Sequence, residues 1–554
     1  MVAHSPDESR TSSRQSRRFG VTDPPPEALM MIGKRTIRYM EFRDAFERTV
    51  RCYKSETAII ASEGERVSYG EIDRGSNELA NTLYERLGNA ACAVLSRNRP
   101  EVIEAMIAGH KRGAATAQLP FRGEASELVR MCEAANVGGL IFDDDTVETA
   151  QRMLELGEFE VAFHIGDSKV AASIVEPYEE ALEEPSSDLD SSLPVGSQCS
   201  VFYTSGTTSL PKAVPFNSEQ LWYGAIQGTM EHGVDKTDIG VMATPWYHMV
   251  SSDAWIYPHL LAGATILLRS EFDPRATLES IAENDATGLL AVPTQLAAMN
   301  EVQENAEYDT DSLSYIRTGG SVVSESLVER TSALLSEGIY NTYGMTEAGP
   351  NLGFAHPSEQ LERPGTIGKE SYTYELRVVE PAPVRENPDP EATVDAGERG
   401  EVIARGPGKA KGYIDNPKAE KRSFFDDWLR TRDVARVDED GYLFIVDRVD
   451  NMFQSGGENI YPVEVEHTLV EHDAVVEAFV YGTDDEHWGN VVSAVVITDG
   501  DVSREELDEF CRSNTGLADY KRPREYDIRP NTESIPRTNT GKIKRDEILS
   551  REEE

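Results

Sequence analysis

An α/β architecture is the expectation, with a large multi-layered N-terminal domain built on mostly parallel sheets and a small α+β domain at the C-terminus. Three features predict it. Short apolar runs alternate with amphipathic stretches over much of the chain, a pattern that feeds strand–helix units into parallel sheets. The length of 554 residues exceeds the roughly 250–300 that one hydrophobic core supports. Beyond Asp450 the character changes to a compact run of two helices and three strands, the size of a small independent domain.

Residues 1–28 are rich in Ser, Arg and Pro and hold no apolar stretch that could form a signal-peptide core, so residues 1–39 read as a disordered extension. From Met40 the pattern is that of a folded domain. EFRDAFERTVRCY reads as an amphipathic helix, TAIIAS as a strand and SYGEIDRGSNELANTLYERL as a helix opened by a Ser cap. The alternation continues through AACAVLS, EVIEAMIAGHKRG, GGLIFDDD, VETAQRMLELG, TILLRS, ATLESIAEN and GLLAVP. The Pro-rich acidic stretch at 380–400 reads as a surface loop, followed by strands in GEVIARG and GYLFIVDRV. NIYPVEVEHTLVEH and REELDEFCRS read as helices, and VVEAFVYG, VVSAVVIT and REYDIRP as strands. The expected division is 1–39 extension, 40–447 N-terminal domain, 448–451 hinge and 452–554 C-terminal domain.

Lys and Arg total 54 against 98 Asp and Glu, a net charge of −44 that would repel nucleic-acid phosphates. The excess is dispersed, as in DDD at 143–145 and DED at 438–440, which points to a surface adapted to molar salt, where the Debye length is about 3 Å. A cytoplasmic protein of a high-salt organism is expected. No run of about 18 apolar residues suggests a membrane span. The five cysteines are odd in number and widely spaced, which indicates neither a disulfide framework nor a zinc site. The histidines form no metal-binding cluster, leaving magnesium carried with a nucleotide as the expected metal. A homodimer is kept as an expected assembly.

The strongest chemical signal is VFYTSGTTSLPKAV at 201–214. Thr204, Ser205, Gly206, Thr207 and Thr208 follow a short apolar strand, and Lys212 comes four residues later. Small side chains let backbone N–H groups face phosphate oxygens, hydroxyls add donors and the Lys supplies a point charge. It is not a Walker A loop, because Pro211 and Ala213 flank the lysine where Gly and Ser or Thr should stand. GPGKAKG at 406–412 lacks dinucleotide-loop spacing and reads as a turn between strands.

With this loop the chain resembles the adenylate-forming enzymes, the superfamily of acyl-CoA synthetases, luciferases and peptide-synthetase adenylation domains. The resemblance recurs in order in NTYGMTEAGP (341–350), RTRDVA (430–435), DRVDNMFQSGGENIYPVEVE (447–466) and PRTNTGKIKRDEI (536–548). It implies a five-layered N-terminal domain, a mobile C-terminal domain, and a carboxylic acid:CoA ligase that works through an acyl-adenylate with ATP, Mg2+ and CoA. Thr204 through Thr208 and Lys212 would hold the β- and γ-phosphates, with Glu347 and Thr204 at the magnesium. Gly320, Asn341, Thr342 and Tyr343 would line the adenine, Thr346 would meet the α-phosphate, and Asp433 and Arg448 would reach the ribose. Lys542 would bridge the substrate carboxylate and the α-phosphate. Gly456 and Gly457 would admit pantetheine, Trp488 would pack near it, Tyr520 would stack on the CoA adenine, and Arg522 and Arg524 would meet its phosphates. Asp450 would be the hinge. His248, Met249, Val250, Gly344 and Gly349 would line the acyl pocket, with Gly349 leaving room.

The sequence departs from the family pattern at Ser209 and Ala213, at Arg432 where Gly is common, and at Asp450 and Gln454, positions often held by Lys. No carboxylate or Arg stands out as placed to bind a second charge, which favours an aromatic or medium- to long-chain monocarboxylic acid. A stand-alone enzyme loading a carrier-protein thiol is the alternative, and a noncatalytic nucleotide-binding protein of the same fold a weaker one.

Overall fold

The structure is a computed structural model that describes residues 30–32, 35–37, 41–168, 170, 172–183, 188–190, 193, 198–204, 211–321, 323–382, 386–449, 451–456, 458–485, 488–514, 517–530 and 548. The chain divides into two units, Met1–Met40 and Glu41–Glu554. In the first, Met30–Ile32 and Arg35–Ile37 pair as antiparallel strands, so the extension is not wholly irregular as the composition suggested.

The second unit is layered. One seven-stranded sheet runs in the order Lys212–Asn217, Gln198–Thr204, Thr116–Gln118, Ala91–Leu95, Val137–Asp143, Val161–Ile165, Val175–Pro177. All neighbours are parallel except the first two, which form an antiparallel hairpin. A nine-stranded sheet has a parallel middle, Ile339–Met345, Tyr315–Gly319, Gly288–Leu290, Ile239–Met242, Thr265–Leu268 and Thr57–Ile60, with antiparallel strands at both edges. Strands covered on both faces should read as continuous apolar runs, and every residue of Ala91–Leu95 is buried.

Helices Phe42–Tyr53, Tyr69–Leu87, Pro100–Arg112 and Ser218–His232 share one core with both sheets. Ala125–Ala134 and Val147–Leu156 cover the outer face of the seven-stranded sheet. Pro274–Asn284, Pro293–Ala306 and Glu325–Leu334 cover that of the nine-stranded one. The result is α–β–α–β–α. Helix starts follow local chemistry: the Ser cap anticipated at the second helix is Ser68, which forms a reciprocal capping box with Glu71.

A third, antiparallel sheet holds Glu375–Val379, Arg399–Arg405, Trp428–Val437, Phe424–Phe425 and Leu443–Arg448. Behind it the Arg430 guanidinium meets the Glu401 carboxylate through two bonds of 2.5 and 2.7 Å, and both side chains are almost fully enclosed. This pair fixes the strand that carries Asp433 three residues on. The C-terminal residues build a core of their own from the strands Val475–Asp485, Gly489–Thr498 and Glu525–Pro530 and the helices Pro462–Val470 and Arg504–Ser513. They attach to the third sheet through Arg399, which pairs with Glu464 and lies over the Tyr461 ring, and through Asp447 Oδ2, which accepts the Val463 N–H at 3.0 Å. Lys521 shares Glu464 at 2.7 Å.

Two outcomes follow. Glu401→Gln leaves the Arg430 charge buried without its counter-ion and should cost about 3–5 kcal/mol in a urea titration. A chain beginning at Met40 should melt within about a degree of full length, since the unit Glu41–Glu554 is compact without the extension.

Candidate active site

The phosphate-loop segment forms where the seven-stranded sheet turns back on itself. Thr204 and Lys212 are register partners at the end of the hairpin, so the loop between them is pinned at both ends. Ser205, Gly206, Thr207 and Thr208 lie outside the described residues. Lys212 Nζ donates to Glu347 Oε1 at 3.3 Å and to the Tyr413 hydroxyl at 3.2 Å, and Tyr413 donates to the same Glu347 oxygen at 2.6 Å. The ammonium also lies 4.5 Å from the Tyr413 ring centroid. Burial and the neighbouring Glu347 carboxylate push the Tyr413 phenol well above its usual range, so it stays a donor. Tyr413 was not among the expected site residues. It directly follows Gly412, the last residue of the segment read only as a turn.

The Thr204 hydroxyl is buried without a hydrogen-bond partner, and its strand packs against the Thr346–Ala348 turn that carries Glu347. An orphaned hydroxyl oxygen beside a carboxylate is a hard-oxygen pair of the kind Mg2+ accepts. Among the described residues no cluster of three or more His, Cys, Asp or Glu could hold a metal, so the remaining ligands would come from phosphate oxygens and water.

A second group sits across the third sheet. Asp433 and Arg448 are ladder partners, with Arg448 Nε 3.4 Å from Asp433 Oδ1. The hydroxyl of the half-buried Tyr343 donates to Asp433 Oδ2 at 2.6 Å. Gly320 has φ +79° and nothing within 4 Å of where a Cβ would stand, so a flat group can approach its backbone. Asn341 Nδ2 donates to Thr366 O and Thr342 Oγ1 to Thr318 O, both buried, so their side chains also fasten neighbouring segments. Thr346 is half-buried at the start of its turn.

His248 caps the short helix Met249–Ser251 and packs on Tyr247, with Met249 buried and Val250 half-buried. This helix and the π-helical turn Ser252–Ile256 pack against the strand Gly349–Ala355. Gly344 is required by close approach, because a Cβ there would lie 2.5 Å from the Pro350 carbonyl carbon. Gly349 has φ +81°, so its identity answers a backbone demand as well as the need for room. A Cβ at Gly349 would meet Asp253 Oδ2 at 3.4 Å. Asp253 and Arg317, neither of which stood out in the sequence as placed to bind a second charge, are both buried in this region.

In the C-terminal part the Gly456 backbone, at φ +60°, is set against Trp488: a Cβ would lie 2.6 Å from its ring, and the Gly456 N–H donates to Trp488 O at 2.9 Å. The missing side chain thus accommodates Trp488 itself. Trp488 and Tyr520 are about half exposed. The basic run is neutralised from within. Lys521 is held by Glu464, Arg522 is buried and pairs with Asp508 and Asp519, and only Arg524, 3.7 Å from Asp519, keeps substantial exposure. Arg522 is therefore committed to acids of its own chain. Asp450, Gly457 and Lys542 lie outside the described residues.

The AMP-binding enzyme family pattern matches residues 46–414, and that of the AMP-binding enzyme C-terminal domain matches residues 464–542. The chain belongs to the AMP-binding enzyme family. It is 32% identical over 502 residues to a feruloyl-CoA synthase of an Amycolatopsis species, covering 88% of this chain and 94% of the relative. Among solved structures it resembles the o-succinylbenzoate CoA synthetase of Bacillus subtilis in complex with its acyl-adenylate intermediate. There the TM-score is 0.79 and the identity 25%, covering 92% of this chain and 98% of that one. The same enzyme with ATP and magnesium ion gives a TM-score of 0.78 at 25% identity, covering 91% and 99%.

Within an AMP-binding enzyme the Lys212–Glu347–Tyr413 group has a measurable role. Tyr413→Phe removes one hydrogen bond to a buried carboxylate and one acceptor from the lysine while keeping the ring. At about 1.5–3 kcal/mol for a bond to a charged group, ATP affinity should fall roughly ten- to a hundredfold in calorimetric titration, with the fold retained.

Proposed function

We propose that this protein is an ATP-dependent carboxylic acid:CoA ligase acting through an acyl-adenylate, on an aromatic acid in preference to an aliphatic one. The observation that carries the reading is the joint placement of Lys212, Glu347 and Tyr413 at the mouth of the hairpin loop, with a separate Asp433–Arg448 pair backed by Tyr343. One cationic group for phosphates and one carboxylate with two acceptor oxygens for a diol are what a nucleotide needs at its two ends. The relatives named for feruloyl and succinylbenzoate thioesters support the aromatic preference.

In this reading the acid carboxylate, already ionised at neutral pH, attacks the α-phosphorus of ATP and pyrophosphate leaves. Lys212 neutralises the departing phosphates, Glu347 and Tyr413 hold its ammonium in place, and Asp433 and Arg448 keep the ribose in register. Thr204 and Glu347 would hold Mg2+, which supplies charge neutralisation along the phosphate chain. Lys542 donates to the oxygens that gain charge at the α-phosphorus. CoA thiol then attacks the acyl carbonyl carbon and AMP leaves. Gly456 and Gly457 admit the pantetheine with Trp488 near it, Tyr520 stacks on the CoA adenine, Arg524 meets its phosphates, and Arg522 acts structurally. Asp450 is the hinge on which the C-terminal domain, 452–554, turns between half-reactions. The dispersed negative charge fits work in a high-salt cytoplasm.

The test separates the halves. Lys542→Ala should lower acyl-adenylate formation from acid and ATP by 10²–10³-fold, yet convert supplied acyl-adenylate and CoA to thioester at near wild-type rate. Gly457→Leu should do the reverse. Equal loss of both halves in Lys542→Ala, with native circular dichroism, would refute this division of labour.

A further inference from the structure

The third sheet ends, where Glu375 pairs in register with Arg405, on a cleft of about 510 Å³. That volume is in the range of small-molecule sites. Thr373, Glu375, Arg405, Lys409, Lys411 and Asp427 line it, and no residue of the Lys212–Glu347–Tyr413 group or the Asp433–Arg448 pair does. The C-terminal segment attaches at Arg399, the opposite end of the strand Arg399–Arg405.

The charges in this cleft are unequally answered. Arg405 Nε donates to Glu375 Oε2 at 2.6 Å and Arg377 Nε to Oε1 at 2.9 Å, so that carboxylate is already taken. Lys409 and Lys411 have no ion-pair or hydrogen-bond partner for their ammonium groups among the described residues. Burial pushes the Lys409 ammonium below its usual range, Asp427 opposes the shift and the like charge of Lys411 adds to it. The stretch 405–422 holds six Lys and Arg against two Asp and Glu, where the whole chain holds 54 against 98. Positive charge is thus gathered here, and it attracts a solute anion.

The lining indicates which anion. Pro407 is its one apolar side chain, so the ligand is polar throughout, and the remaining charge of the chain repels a macromolecular polyanion. Lysine meets phosphate as a point charge, and two ammonium groups two residues apart suit an anion whose charge sits on two centres. The loop that bears them is held by its backbone, which leaves both side chains to the cleft. Ala410 N–H donates to Glu347 O at 2.8 Å, Ile414 N–H to Ala213 O at 3.0 Å, and Lys409 O accepts from Gln220 Nε2 at 2.5 Å. Gly406 and Gly408 let it lie on Tyr374, where a Cβ would stand 2.5 Å from the ring and 2.8 Å from the hydroxyl. We propose that Lys409 and Lys411 form a diphosphate-binding site, separate from the phosphate loop and joined to it through Glu347 and Ala213. Two solutes carry that group, inorganic pyrophosphate and CoA. Binding is read without turnover, so this site and the ligase reading fail independently.

The test is equilibrium dialysis of labelled pyrophosphate with magnesium against the full-length chain, its nucleotide site filled by saturating α,β-methylene ATP. One further pyrophosphate per chain should bind. Lys409→Gln with Lys411→Gln should weaken it at least about tenfold, while affinity for the ATP analogue stays within about twofold. Lys411→Gln alone, at an exposed residue, should show part of the loss and serves if the pair does not fold. Lys418→Gln with Lys421→Gln removes the same charge from the helix Pro417–Ser423, outside the cleft lining, and should leave binding unchanged. CoA that displaces the label identifies its diphosphate as the source, and CoA that does not leaves free pyrophosphate. No binding beyond the analogue, displacement by inorganic phosphate at equal concentration, equal loss in the helix variant, or unchanged binding in a natively folded cleft variant each overturns the site.

Discussion

Three sheets meet at one carboxylate. Lys212 begins the edge strand of the seven-stranded sheet, Glu347 follows the strand Ile339–Met345 of the nine-stranded one, and Tyr413 follows the strand Arg399–Arg405 of the third. Glu347 is 4% exposed, so its charge is tolerable only while both partners reach it. The layers must therefore pack in one relative position for the group to form. Phosphate handling and interlayer packing are in that sense a single constraint, and the hairpin at 198–217 lets the first sheet contribute.

The ribose site rests on a second, quieter constraint. Asp433 is placed by strand register opposite Arg448, and its strand is fixed by the enclosed Arg430–Glu401 pair on the other side. Arg430 also reaches the backbone oxygens of Ala382 and Glu386, both in the first part of the Pro-rich loop. A surface loop with little sequence regularity is thereby tied to the strand that carries the candidate diol-binding carboxylate.

Much of this was legible before any coordinates. The parallel strands announce themselves because both faces are covered, as in AACAVLS and GLLAVP, and Ser68 marks its helix start by local chemistry. The motifs single out Lys212 and Glu347, and Asp433 and Arg448, and the structure brings each of these pairs into contact, since a short motif fixes what its strand or turn presents. Less visible was whatever depends on partners far away in the chain. Asn341 and Thr342 sit inside a motif, and that their side chains also bond to Thr366 and Thr318 is not visible there. The run at 521–524 reads as positive only until Glu464, Asp508 and Asp519 fold against it. Arg432 looked like a mere departure from a common Gly. Its φ of +65° shows that the position demands a left-handed backbone, which Gly would adopt without strain. Asp253 follows His248, Met249 and Val250 closely in sequence, but its burial beside glycines 224 and 349 is a tertiary fact.

The attachment of the C-terminal segment is made largely of charge. Arg399 and Glu464 are partly solvated, Lys521 shares the same acid, and the accompanying ring contact is with Tyr461. Attractions of this kind weaken as mobile ions crowd between the partners, whereas the apolar core enclosed within 460–517 does not loosen in that way. Ionic strength thus acts on the joint and spares the bodies it joins. In dilute buffer these pairs pull harder while the repulsion within a chain of net charge −44 grows as well, so the ease with which the two parts separate is a property of the medium as much as of the fold.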